Sequence, residues 1–104
     1  MNKKVLLWLV ENGLRLNTKA ICFLADALVL YHDNKNIKIM EMYEIIGNAH
    51  RKSVKSVGRN IHQCLESDWY HTTFKKYTKG SPTVFEAIQL LELLYPWSDE
   101  DEEI

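Results

Sequence analysis

Between Glu44 and Glu66 the chain carries no acidic residue, and within that stretch apolar side chains recur at helical spacing. Val54, Val57, Ile61, Cys64 and Leu65 fall on one face, with Trp69 following. At about 100° per residue this pattern makes one apolar stripe of an α-helix. Its opposite face then centres on Arg59, flanked by Lys52, Lys55, Ser56, His62, Gln63 and Glu66. A helix with this division must bury one side and leave a cationic side in water. That requirement excludes a strand over the segment, whose side chains would alternate with a period of two.

The same period recurs along the chain. Val5–Asn12 reads as a helix closed by Gly13, with Leu14–Leu16 as a linker and Asn17 or Thr18 as N-cap of the next. Ile21, Leu24, Ala25, Leu28 and Tyr31 make the second stripe, ended by the polar turn Asp33-Asn34-Lys35-Asn36. Ile39, Met42, Tyr43 and Ile46 make the third, which Gly47-Asn48 is expected to stop, and Ser53 is placed to cap the fourth helix. A short helix is expected next, with Tyr70, Phe74 and Tyr77 inward and Lys75, Lys76 and Lys79 outward. Ser81 as N-cap and Pro82 at the first helical position would start the last helix. Its stripe is Val84, Phe85, Ile88, Leu91 and Leu94, and Pro96 stops it. The expectation is an all-α fold of six helices, with a helix-turn-helix over about 39–67.

At 104 residues and 46% hydrophobic content the chain suits one compact domain. We set it at 1–96, with 97–104 as an acidic disordered tail. The net charge of −1 argues against a nucleic-acid ligand until its distribution is considered. Five of the fourteen acids lie in the last six residues, so nine remain against thirteen Lys and Arg, and the body is near +4. Cys22 and Cys64 both lie on apolar faces and read as buried thiols of a reducing cytosol, not as a disulfide framework. Val5–Val10 is too short for a signal segment and the run around Ile21–Tyr31 too short to span a bilayer. The expected location is therefore cytoplasmic.

In a helix-turn-helix the second helix enters the DNA major groove. Here Arg59 would read a base edge, Ser56, His62 and Gln63 would assist, and Lys52, Ser53 and Lys55 would lie at the phosphate-facing start. Lys75 and Lys76 could add backbone contacts. Double-stranded DNA is thus the expected partner, with tandem sites, a homodimer or a partner transcription factor supplying the rest of the affinity. No histidine pair at i, i+4 and no cysteine at finger spacing occurs, so neither metal nor cofactor is expected. Ser53 and Ser56 show no positioned base, and the chain does not read as an enzyme.

Four local matches carry a resemblance to a known family. They are ENGLRLNTKAICFLADAL at Glu11–Leu28, MYEII at Met42–Ile46, SVGRNIHQCLESDW at Ser56–Trp69 and SPTVFEAI at Ser81–Ile88. Together, from about Val5 to Leu94, they resemble the C-terminal DNA-binding effector domain of the stage-zero sporulation protein A family, the master sporulation response regulators. The resemblance implies a six-helix domain that binds duplex DNA to activate or repress promoters, here standing alone without the receiver domain. The family carries arginines and an acid where this chain has Ser56, His62 and Gly58, and a histidine where it has Gln63. Each lost arginine removes a bidentate guanine contact worth about 1–3 kcal/mol of discrimination, so the expected target differs from the family's. Gly58 inside a helix costs about 1 kcal/mol relative to alanine. An alternative expectation follows from these departures: a protein-interaction module or antagonist that keeps the fold without specific DNA binding.

Overall fold

A computed structural model describes residues 2–16 and 19–98. Among these, five α-helices and two 3-10 turns occur and no strand, so the chain is all-α. The helices are α1 (Lys3–Glu11), α2 (Lys19–Asp33), α3 (Ile39–His50), α4 (Val54–Asp68) and α5 (Val84–Leu94). In place of the sixth expected helix, Trp69–His71 and Thr73–Tyr77 form the two 3-10 turns. That segment is rich in aromatic and β-branched residues, which lose side-chain freedom in an α-helix. Phe74 is buried as expected, whereas Tyr70 and Tyr77 stand 57% and 53% exposed, contrary to their inward assignment. Trp69 is instead the anchor: it is fully buried and donates from Nε1 to Thr78 Oγ1 at 2.8 Å.

α2 is the hub, packing against all four other α-helices. Its Ala20, Ala25 and Ala27 are buried beside Ile21, Phe23, Leu24 and Leu28, so small and large side chains alternate where neighbours approach. Burying each large apolar side chain contributes about 1.5–3 kcal/mol, which is why five short helices can hold one core. The candidate N-caps Asn17 and Thr18 lie outside the described residues.

α1 ends as expected, with Gly13 at φ +116°. α1 starts two residues earlier than expected, at Lys3 and not Val5, and two further boundaries move. α3 runs through Gly47 and Asn48 to His50, and its left-handed stop is Arg51, at φ 57° and ψ 46°. Gly47 serves close packing instead, since a Cβ there would stand 2.5 Å from the Lys52 carbonyl oxygen. The amides of Arg51 and Lys52 both bond the Gly47 carbonyl, closing the helix end. α5 begins two positions later than expected, with Thr83 and not Ser81 as cap. Thr83 Oγ1 accepts from the Glu86 amide at 3.2 Å while the Glu86 carboxylate accepts from the Thr83 amide at 3.0 Å. Pro82 therefore precedes the cap.

Beyond α5, the Trp97 ring stacks on His32 at 3.8 Å with 9° between planes, and its Nε1 donates to the Glu92 carbonyl at 2.8 Å. Packing thus reaches past Pro96, the boundary placed from sequence. Residues 99–104 of the acidic segment lie outside the described residues.

Candidate nucleic-acid interface

α3 and α4 pack against each other across the three residues Arg51–Ser53. Ser53 adopts extended backbone, and its hydroxyl oxygen accepts from the Ser56 amide at 3.1 Å, so α4 starts where the sequence places its cap. The expected stripe is inward: Val57, Ile61 and Leu65 are fully buried and Cys64 nearly so, with Val54 half-buried. Lys52, Ser53, Lys55, Arg59, His62 and Gln63 are all exposed, and Ser56 is half-buried. The rod of about 22 Å therefore presents an open polar side along most of its 15 residues, up to Asp68, which is buried. Burial of the core face and exposure of the cationic face have one cause, the three-four spacing of apolar residues.

The start of α4 is electrostatically unbalanced. Its first turn has no acidic residue, as in α1 and α2, whereas α3 and α5 carry Glu41 and Glu86 there. The N-terminus of a helix already holds partial positive charge, so Lys52 and Lys55 add repulsion of about 0.3–1 kcal/mol each instead of relief. An anion set against this end would remove that repulsion and meet unsatisfied amides. The far half of the face is closer to neutral, because His62 Nε2 contacts the Glu66 carboxylate one turn on.

Lys75 and Lys76 are exposed on the second 3-10 turn. They sit outside α4, and the Lys76 ammonium lies 5.3 Å from the centre of the Tyr77 ring. Among the described residues no hydrogen bond or ion pair joins either one to α4.

The structure adds neighbours that the sequence did not single out. A groove of about 390 Å³ runs between α4 and the chain leading into α2, lined by Arg15, Lys19, Ala20, Lys52, Asn60, Gln63, Cys64, Ser67 and Asp68. Asp68 is buried, and Arg15 donates from Nε and Nη2 to its Oδ1 at 3.0 and 2.6 Å. Fifty-three positions separate those partners, so no local spacing announces them. Asn60 could have been found, since it lies one residue from Arg59 on the same polar side. Burial pushes the Cys64 thiol up to about 11, with the Asp68 carboxylate adding to the shift and Arg15 opposing it. That thiol stays protonated at neutral pH and is a poor nucleophile. Cys22 is half-buried, less enclosed than its apolar setting implied.

No helix of the described residues is long and apolar enough to cross a membrane. Comparison with protein-family models, curated proteins and solved structures finds no match to this chain.

Proposed function

We propose that this chain is a sequence-specific DNA-binding transcriptional regulator whose α4, together with α3, works as a helix-turn-helix. The observation that carries the reading is the open face of α4, cationic and free of acids at its start. A surface of that kind destabilises the isolated protein and fits a polyanion. In this reading Arg59 is the principal reader of a purine edge, with Gln63 beside it and Ser56 and His62 secondary. Lys52, Ser53 and Lys55 hold phosphates at the helix start; the Ser53 oxygen serves the cap, which leaves its proton to donate. Lys75 and Lys76 add backbone contacts from the flank. The resemblance to sporulation regulator effector domains supports the same assignment.

The decisive experiment is selection of bound duplexes from a random pool, followed by two variants. Arg59→Ala is expected to relax base preference at one position at a cost of about 1–3 kcal/mol. Lys55→Ala is expected to weaken binding on every sequence and lower the salt slope by about one. Identical behaviour of the two variants would contradict these roles.

A second reading, a protein-interaction module or antagonist, is favoured by the contact of His62 with Glu66, which takes one candidate reader out of service. Failure to bind any duplex at low salt selects this reading, because a cationic groove binder gains affinity steeply as salt falls.

A further inference from the structure

We infer that the groove beside α4 holds a phosphate group of the DNA backbone, gripped by Arg15, Lys19 and Lys52. This inference rests on the major-groove reading of α4 and extends its footprint to residues outside α3 and α4. The three cations come from three separate places: the α1–α2 connection, the first residue of α2, and the turn before α4. Against them stands one carboxylate, Asp68, which Arg15 already neutralises. Lys19 and Lys52 make no ion pair among the described residues, so two positive charges are left facing the groove. Arg15 spends two of its five N–H donors on Asp68, and its side chain is 62% exposed, so it keeps donors for a second anion.

The α4 wall fits the same occupant. Asn60 and Gln63 bring side-chain amides to the groove, and Gln63 belongs also to the reading face. A duplex whose bases meet Arg59 and Gln63 has its sugar-phosphate edge alongside, and the groove lies on that flank of the helix. A phosphodiester carries one negative charge and several acceptor oxygens, which matches a net excess of cations ringed by neutral donors. Neighbouring Ser67 contributes shape and not a proton, because its hydroxyl donates to the Gln63 carbonyl.

The test compares the full chain with the double variant Lys19→Gln/Lys52→Gln in duplex titrations over a salt series, with Lys35→Gln, at the other end of α2, as control. Both groove lysines are exposed and Lys52 repels the start of α4, so the variant is expected to unfold thermally at or slightly above the parent's temperature. The expected result is an affinity loss of about tenfold on all sequences, a salt slope lower by about one, and an unchanged preferred sequence. A double variant with the parental slope and affinity overturns the inference, and with it the phosphate role of Lys52, while leaving the base-reading face around Arg59 intact. A parent that binds no duplex at low salt overturns both. In a second arm, inorganic phosphate is titrated at constant ionic strength while the amide signals of Asn60, Gln63 and Ser67 are followed. Saturable phosphate binding that the double variant loses, together with an unaltered duplex slope, would make this a free-anion site and overturn the backbone assignment.

Discussion

Gly58 shows how one residue can be read correctly and still be misunderstood. Its cost to α4 is plain from helix propensity, about 1 kcal/mol against alanine. Its reason lies across the α3–α4 contact: a Cβ there would stand 2.8 Å from Tyr43 Cε2 and 3.3 Å from Cζ. Tyr43 is buried, so its ring has little room to retreat. Gly58→Ala should therefore destabilise the domain by about 1 kcal/mol net, since overpacking costs about 1–3 kcal/mol and exceeds the propensity gain. In a Tyr43→Leu background the same substitution should become stabilising. Urea unfolding of the four proteins in a double-mutant cycle measures this, and additive effects would show that the ring does not hold the glycine in place. The exposed candidates Arg59, Gln63 and Lys55 were legible because each lies on a face defined by its near neighbours. Arg15 and Lys19 were not, because their place in the groove depends on how α2 docks against α4.

At the scale of elements, the turn between α3 and α4 shows what local sequence reveals and what it hides. The Ser53 cap is local, a hydroxyl and an amide three residues apart, and sequence alone placed it. The end of α3 depends on backbone approach: Gly47 keeps clear of the Lys52 carbonyl while Arg51 takes the left-handed conformation. Sequence rules assign that conformation to glycine, so they point to nearby Gly47 as the stop. An L-residue there carries a penalty of about 1–2 kcal/mol. Arg51→Gly should stabilise the protein by about 0.5–1 kcal/mol, part of the relief being offset by the freer unfolded chain. A shift of the urea midpoint upward with unchanged slope is the expected reading; a lower midpoint would mean that the Arg51 side chain stabilises more than its backbone costs. The first and last helices start elsewhere than expected, α1 at Lys3 and α5 after Thr83. Ser81-Pro82 is a good start signal, but the reciprocal Thr83–Glu86 pair is a stronger one.

Over the whole molecule, the all-α class and the order of the five α-helices were legible, but the ties that fix orientation were not. The α1–α2 connection docks on the segment after α4. The Thr73 amide donates to the Asn12 carbonyl at 2.9 Å, the Thr73 hydroxyl to Asn12 Oδ1 at 2.7 Å, and Arg15 holds Asp68. Gly13 makes this possible: besides its φ of +116°, a Cβ would lie 2.3 Å from the His71 carbonyl oxygen. Gly13→Ala combines backbone strain with a clash against main chain, each worth about 1–3 kcal/mol. A loss of about 3 kcal/mol or more in urea unfolding is expected, and a near-neutral result would show that the connection is free to move off the α4 exit. With a radius of gyration of 12.7 Å the chain matches a single domain of this length, for which about 13 Å is typical.

The two sides of α4 divide labour in a way that bears on ancestry. Val57, Ile61 and Leu65 have no exposed surface, while Lys55, Arg59 and Gln63 are exposed. Heritable change on the outer side can therefore alter that surface by single steps at little cost to folding. Lineages descended from a common scaffold would then share their inner lettering and diverge chiefly in their outer lettering.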